Sequence, residues 1–84
     1  MFRIELGSPT KRFLKKCDKI FYDRLMKKIK ELAVNPFPPD VKRVVGRKDK
    51  SFRVRVGDYR IIYLVYPDKN AILIADIDKR PRIY

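Results

Sequence analysis

The sequence contains no histidine and only one cysteine, Cys17, and these shortages exclude several common kinds of active site. Without histidine there is no histidine-based catalytic triad, no ribonuclease site built on a histidine pair and no histidine metal site. A single cysteine excludes an internal disulfide and a cysteine-rich zinc site. With no base available to activate it, we interpret Cys17 as a packing residue and not as a nucleophile.

Long hydrophobic runs are missing as well. No apolar stretch approaches the roughly 18 residues that are needed to span a membrane, and the N-terminus lacks a secretory pattern. The length of 84 residues fits one small domain, residues 1–84. We therefore expect a single domain in the reducing cytoplasm, without a membrane partner.

Acidic residues are scarce compared with basic ones. Lysine and arginine total 22, aspartate and glutamate total 10, and the formal net charge is +12. Such a balance predicts a polyanionic partner, which could be nucleic acid, an acidic protein or both. The alternative is a surface whose basic residues only keep the protein soluble. Apolar residues make up 45% of the chain, enough for a folded core.

The N-terminal half has the pattern of a strand followed by two helices. Apolar and polar residues alternate over residues 2–6, which predicts a strand. Apolar residues then recur at intervals of three and four, which predicts amphipathic helices over about 9–17 and 19–34. We interpret Ser8 and Asp18 as the N-caps of these two helices.

The C-terminal half has the pattern of a sheet. Residues 41–45 are interpreted as a short extended piece, and residues 46–50 as a basic loop. Three strand-like runs follow, at residues 52–56, 59–66 and 71–77. The order strand, helix, helix and then strands predicts an α+β fold, with an antiparallel sheet covered on one face by the helix pair.

The turn between the first two of these runs predicts where charge collects. Gly57-Asp58 is a two-residue loop with glycine first, typical of a type II′ turn, which fixes the strand register. In that register Arg53, Arg55 and Arg60 share one face with the apolar residues Ile62, Leu64 and Tyr66. The other face carries the apolar residues Phe52, Val54, Val56, Tyr59, Ile61 and Tyr63. Like charges directly opposite each other are destabilising. The arrangement therefore favours a bound anion such as phosphate, which arginine binds in a bidentate manner. A solvated strand face that blocks edge pairing is the alternative.

A second basic and aromatic cluster closes the sequence. If the last strand lies beside residues 59–66, its end brings Arg80 and Tyr84 to the rim of the arginine-bearing face. Guanidinium groups for phosphates together with an aromatic ring for a base suit single-stranded RNA.

The stretch GRKDKSFRVRVGDYRIIYLVY, together with the terminal DKRPRIY, resembles the RelE/ParE superfamily of toxin–antitoxin toxins, and the archaeal RelE branch most of all. The resemblance covers essentially the whole chain. It implies an endoribonuclease that cuts messenger RNA in the ribosomal A site, with no metal or other cofactor. In that reaction the 2′-hydroxyl attacks the adjacent phosphate and leaves a cyclic phosphate and a 5′-hydroxyl.

The resemblance also implies roles for individual residues. Arg60 and Arg80 would hold the scissile phosphate and stabilise its growing charge, and Tyr84 would stack on a base or transfer a proton. Arg55, or alternatively Arg53, would help to activate the 2′-hydroxyl. Arginine stays protonated and is a poor general base, so we expect electrostatic activation and positioning to dominate. The expected RNA-binding residues are Arg47, Lys48, Lys50, Arg53, Lys79 and Arg82.

The implied partners are the ribosome, its messenger RNA and an acidic, RelB-like antitoxin that wraps around the toxin in a heteromeric complex. Three other functions stay open at this point. One is a ParE-like toxin that inhibits DNA gyrase without RNA chemistry, and another is a nucleic-acid-binding domain without catalysis. The third is a metal nuclease that uses Asp76 and Asp78, which the pattern places on one strand face.

Overall fold

Two helices lie against one face of a five-stranded sheet. The computed structural model describes residues 1–44 and 50–79. The strand order across the sheet is β1-β5-β4-β3-β2. The elements in chain order are β1 (Arg3–Leu6), α1 (Ser8–Lys16), α2 (Lys19–Val34), β2 (Lys42–Arg43), β3 (Ser51–Val56), β4 (Tyr59–Tyr66), a 3₁₀ turn (Pro67–Lys69) and β5 (Ala71–Lys79). The predicted α+β class, with the helix pair on one face of the sheet, is confirmed.

The sheet is mixed, because its first edge strand runs parallel to its neighbour. β1 pairs with β5, with Arg3 opposite Ala71, and the other neighbouring strands pair antiparallel. At the far edge, β2 contributes two residues from the segment that was predicted to be extended. Residue alternation shows which side chains face the core and carries no information about the direction of a neighbouring strand. The parallel edge was therefore not predictable from the pattern.

The entry into α1 differs from the expectation. Gly7, not Ser8, takes the N-cap position, so the predicted serine cap is wrong. A Cβ atom on residue 7 would lie 3.2 Å from the carbonyl oxygens of Ile74 and Ala75. Glycine therefore lets the chain enter the helix close against β5. Asp18 does take the N-cap position of α2, where its carbonyl accepts a hydrogen bond from the Tyr22 N–H at 2.8 Å.

The core lies between α2 and the sheet. Leu25, Ile29 and Leu32 of α2 follow the helical spacing and are no more than 1% exposed. The sheet supplies the rest of the core, with Val54, Ile61, Tyr63, Ile72, Ile74 and Ile77. Full burial of one such side chain contributes about 1.5–3 kcal/mol. This packing decides which face of the β3–β4 hairpin is covered.

A bulge in β5 sets the orientation of its acidic residues. β5 has one extra residue between the pairs Tyr63–Ile74 and Ile62–Asp76. Because the bulge interrupts the period of two, Ile74 and Ile77 both reach the core although they are three positions apart. The same shift places Asp78 opposite Arg60.

Candidate functional site

The face of the sheet that is turned away from the helices, called the open face here, carries the hairpin arginines. Arg55 lies opposite Arg60, and Arg53 lies opposite Ile62, as the two-residue turn predicted. Gly57 has a φ of +60°, which is the conformation that favours glycine at this position. Alternation then places the three arginines on one face, so the predicted hairpin register is confirmed.

Arg60 is held by a carboxylate of the neighbouring strand. Its Nε and Nη2 atoms lie 3.0 and 3.2 Å from Oδ1 and Oδ2 of Asp78. The Arg60 side chain is 15% exposed, and two parallel hydrogen bonds of this kind fix the plane of a guanidinium. Asp78 also offsets the repulsion between Arg55 and Arg60. The crowding at Arg60 is therefore relieved in part within the protein, and the predicted bound phosphate stays a prediction.

The other two arginines lie toward β2. Arg53 and Arg55 line a pocket of about 220 Å³ together with Asp40 and Lys42. Lys42 is directly opposite Arg53 in the β2–β3 register and so shares the open face. Sequence reasoning did not single out Lys42. Its position in the extended piece that precedes the basic loop was the available signal.

The open face between these two groups of charges is apolar and aromatic. Ile62 is 7% exposed, and Leu64 and Leu73 lie opposite each other, half-buried. Tyr66 follows on β4, and the ammonium of Lys69 is 5.9 Å from the centre of its ring. Arginines beside an apolar and aromatic floor can contact both the phosphates and the bases of a single strand.

The remaining predicted RNA-binding and catalytic residues fall into three groups. Lys50 is exposed and directly precedes β3. Lys79 lies opposite Tyr59, which packs against the core, so the register places Lys79 on the helix side of the sheet. The third group lies outside the described residues and comprises Arg47, Lys48, Arg80, Arg82 and Tyr84.

The acidic pair on β5 is engaged within the protein. Asp78 binds Arg60, and Oδ1 of Asp76 accepts a hydrogen bond from the Ile77 N–H at 2.8 Å. Within residues 1–44 and 50–79, no three histidine, cysteine or acidic side chains form a group that could hold a metal ion. The arrangement favours Asp78 as the counter-charge of Arg60 over Asp78 as a metal ligand.

Two further findings bear on the other sequence-based expectations. Burial is the main cause that raises the pKa of the Cys17 thiol, and the nearby Asp18 adds to the rise. A thiol that stays protonated is a weak nucleophile, which agrees with a packing role. None of the helices in the described part of the chain has the length and apolar character that a membrane span requires.

Comparisons with known proteins give the family. The family model described as ParE toxin of type II toxin-antitoxin system, parDE, matches residues 4–84. RelE1 of Methanocaldococcus jannaschii, which is named as a toxin, is 31% identical over 86 residues, covering 99% of this chain and 94% of RelE1.

Solved structures agree with this match. The archaeal RelE-RelB complex from Pyrococcus horikoshii OT3 contains a chain with a TM-score of 0.83 and 29% identity, covering 96% of this chain and 97% of that one. The isolated E. coli RelE toxin has a TM-score of 0.82 at 18% identity, covering 98% and 87%, and supports the fold alone. The predicted membership of the RelE/ParE superfamily, near archaeal RelE, is confirmed. The chain belongs to the ParE toxin family of type II toxin–antitoxin systems, and it has the fold of the RelE toxins.

Proposed function

We propose that this toxin is a ribosome-dependent endoribonuclease that cuts messenger RNA in the ribosomal A site. The observation that carries the proposal is the open face, where Arg55 lies opposite an Arg60 whose guanidinium is held in place by Asp78. A rigid cation beside a second cation suits a reaction whose transition state gains negative charge on a phosphate.

The proposed reaction is an internal transesterification. The 2′-oxygen forms a bond to the adjacent phosphorus, and the bond from phosphorus to the 5′-oxygen breaks. The 2′-hydroxyl loses its proton and the leaving 5′-oxygen gains one, which gives a 2′,3′-cyclic phosphate and a 5′-hydroxyl.

Arginine roles follow from this chemistry. Arg60, with Arg80, stabilises the charge that grows on the phosphate oxygens, and a guanidinium that is already oriented needs little rearrangement. Arg55 lowers the cost of removing the 2′ proton by its positive charge, since arginine itself stays protonated. Tyr84 stacks on a base or transfers a proton.

Such a site needs a substrate that is already held in a reactive conformation. A protein without a good general base depends strongly on the alignment of the attacking oxygen with the phosphate. The ribosomal A site, in the cytoplasm, would hold the messenger in that way. This dependence explains why the ribosome is part of the proposed activity.

We also propose an acidic antitoxin as the partner that restrains the toxin. The related archaeal RelE was solved in a complex with RelB. The net charge of +12 favours a partner of opposite charge, and α1 carries four basic residues and no acidic ones. Expression of the toxin alone should arrest growth, and co-expression of an acidic antitoxin should relieve the arrest.

Arg60→Ala tests the catalytic proposal. We expect messenger cleavage on translating ribosomes to fall by about 10²–10³-fold, because one positioned donor to the transition-state charge is lost. Mapping of cleaved ends on programmed ribosomes measures the effect, and Arg80→Ala should show a similar loss. Arg43→Ala is the matched control, because its register partner Phe52 places it on the other side of the sheet. Full activity of Arg60→Ala would refute the role of Arg60.

Inhibition of DNA gyrase is the second candidate, and the match to the ParE family model favours it. The two functions predict different results in assays of messenger cleavage and of gyrase supercoiling. If purified toxin inhibits gyrase supercoiling while messenger on ribosomes stays intact, the gyrase function replaces the one proposed above.

A further inference from the structure

Two cations of the open face have no counter-charge among the residues that the structure describes. Lys42 and Arg53 lie directly opposite each other on β2 and β3 and line the same pocket of about 220 Å³. In residues 1–44 and 50–79, neither side chain has an ion-pair partner, whereas Arg60 binds Asp78. Asp40 also lines the pocket, but its carboxylate is 3.2 Å from the Lys28 ammonium. Directly opposed like charges are destabilising, and a bound anion would remove that cost.

The backbone that carries Lys42 is fixed before any ligand binds. The hydroxyl of Tyr63 donates a hydrogen bond of 2.6 Å to the carbonyl of Pro36. The ring centroids of Phe37 and Phe52 are 5.1 Å apart. The Lys28–Asp40 ion pair ties the last part of the same loop to α2. A cation on an anchored strand loses less freedom on binding than a cation on a loose loop.

The pocket and the Arg60 guanidinium lie in different parts of the open face, because Arg60 does not line the pocket. Lys42 is two strands away from β4 and two residues further along the sheet than Arg60. Strand spacing and rise per residue place the two backbone positions about 12 Å apart. Asp78 on β5 also draws the Arg60 guanidinium away from β2. These positions suit two phosphates of one strand better than a single shared phosphate.

We propose that Lys42, together with Arg53, binds a phosphodiester of the messenger that neighbours the cleaved one. This inference rests on the function proposed above, and it names a second subsite on the same RNA strand. Lys42 is a positioning residue in this account, because it holds the strand in register and does not touch the reacting atoms. Its loss should weaken substrate binding more than the chemical step.

Lys42→Ala and Arg43→Ala form a matched pair for the test. They remove the same charge from adjacent residues that point to opposite sides of the sheet. In steady-state cleavage on programmed ribosomes, we expect Lys42→Ala to raise KM about three- to tenfold and to change kcat less than about twofold. Arg43→Ala should leave both constants near those of the wild type. Equal effects of the two substitutions, or a loss confined to kcat, would overturn the inference.

A binding experiment tests the subsite without any cleavage. For the free toxin and a 2′-O-methylated RNA, the logarithm of the binding constant falls linearly with the logarithm of the salt concentration. The magnitude of this slope should be about 0.7 smaller in Lys42→Ala than in the wild type, as expected for one phosphate contact to a single strand. Replacing the phosphates one at a time by uncharged methylphosphonates should reveal one position that weakens wild-type binding and weakens Lys42→Ala binding clearly less, because only Arg53 still contacts that phosphate in the variant.

The two experiments separate failure of the inference from failure of the proposed function. The wild type could cleave messenger while no methylphosphonate position depends on Lys42. That result would contradict the inference and would not contradict the proposed function. Absence of cleavage by the wild type would contradict the proposed function. The methylphosphonate result would then decide by itself whether Lys42 binds an RNA phosphate.

Discussion

The covered and open faces of the β3–β4 hairpin come from alternating residues of the same two strands, and they differ in burial and charge. On the covered face Val54, Ile61 and Tyr63 are at most 1% exposed. On the open face Arg53 and Arg60 are neighbours of these residues in sequence and carry positive charge. A period of two lets one segment pack against the core on one side and present charge on the other. A substitution should therefore change mainly one property, depending on which face it touches.

Ile61→Ala, on the covered face, should have the largest effect on stability. Ile61 is 0% exposed, so its truncation leaves a cavity under α2, and we expect a loss of about 3 kcal/mol in the free energy of unfolding. In a domain of this size that corresponds to a fall in Tm of roughly 15 °C. Urea and thermal unfolding measure both quantities. The neighbouring Arg60→Ala should stay well below this loss, and a comparable destabilisation would show that the two faces are not independent.

Asp78→Asn tests the open face alone, because it changes the partner of Arg60 and no core residue. Removal of the carboxylate releases the Arg60 guanidinium and raises the net charge. We expect about a tenfold loss of messenger cleavage, while binding of uncleavable RNA becomes tighter. Asp68→Asn, on the exposed 3₁₀ turn, changes the net charge equally and is the control. Parallel loss of binding and cleavage in Asp78→Asn would contradict a role in orienting Arg60.

The smallest expected effect belongs to Tyr63→Phe on the covered face. This change removes the hydrogen bond to the Pro36 carbonyl and should cost about 1 kcal/mol in unfolding free energy. Tyr22→Phe, at a tyrosine that is 40% exposed, should cost much less. Denaturant unfolding of the two variants side by side measures the difference.

Tyr63 also makes the covered face sensitive to alkali. Burial, with a smaller contribution from Asp40, raises the pKa of Tyr63 above its ordinary value of 10.0. Below that value both the folded and unfolded states keep the proton. Above it the unfolded chain ionises first, so stability falls as the pH rises. The free energy of unfolding, measured between pH 8 and about 11, should fall less steeply with pH in Tyr63→Phe than in the wild type. Equal slopes would contradict this role of Tyr63.

The parts of the fold that sequence predicted are those set by local chemistry. The Gly57-Asp58 turn determines the hairpin register, and that register determines which face carries Arg53 and Arg55. The helix spacing likewise shows which side of α2 is buried. Each of these depends on residues that lie within a few positions of one another.

The parts that sequence did not predict depend on distant partners. The Arg60–Asp78 pair requires the bulge in β5, and the pattern of that strand does not show which residue is extra. Lys42 comes opposite Arg53 only through the β2–β3 pairing at the sheet edge. The roles of Arg80 and Tyr84 stay predictions, because both lie outside the described residues.

The parallel pairing of β1 with β5 has a consequence for the order of folding. Asn70 donates a hydrogen bond to the Met1 carbonyl, 69 positions away, and Arg3 donates to the Asn70 carbonyl. A nascent chain can form α1, α2 and the hairpin from local contacts, but the sheet closes only after β5 has been synthesised. Because Asp78 lies on β5, Arg60 is also oriented only at that late stage. The orientation of Arg60 is therefore among the last features of the sheet to form.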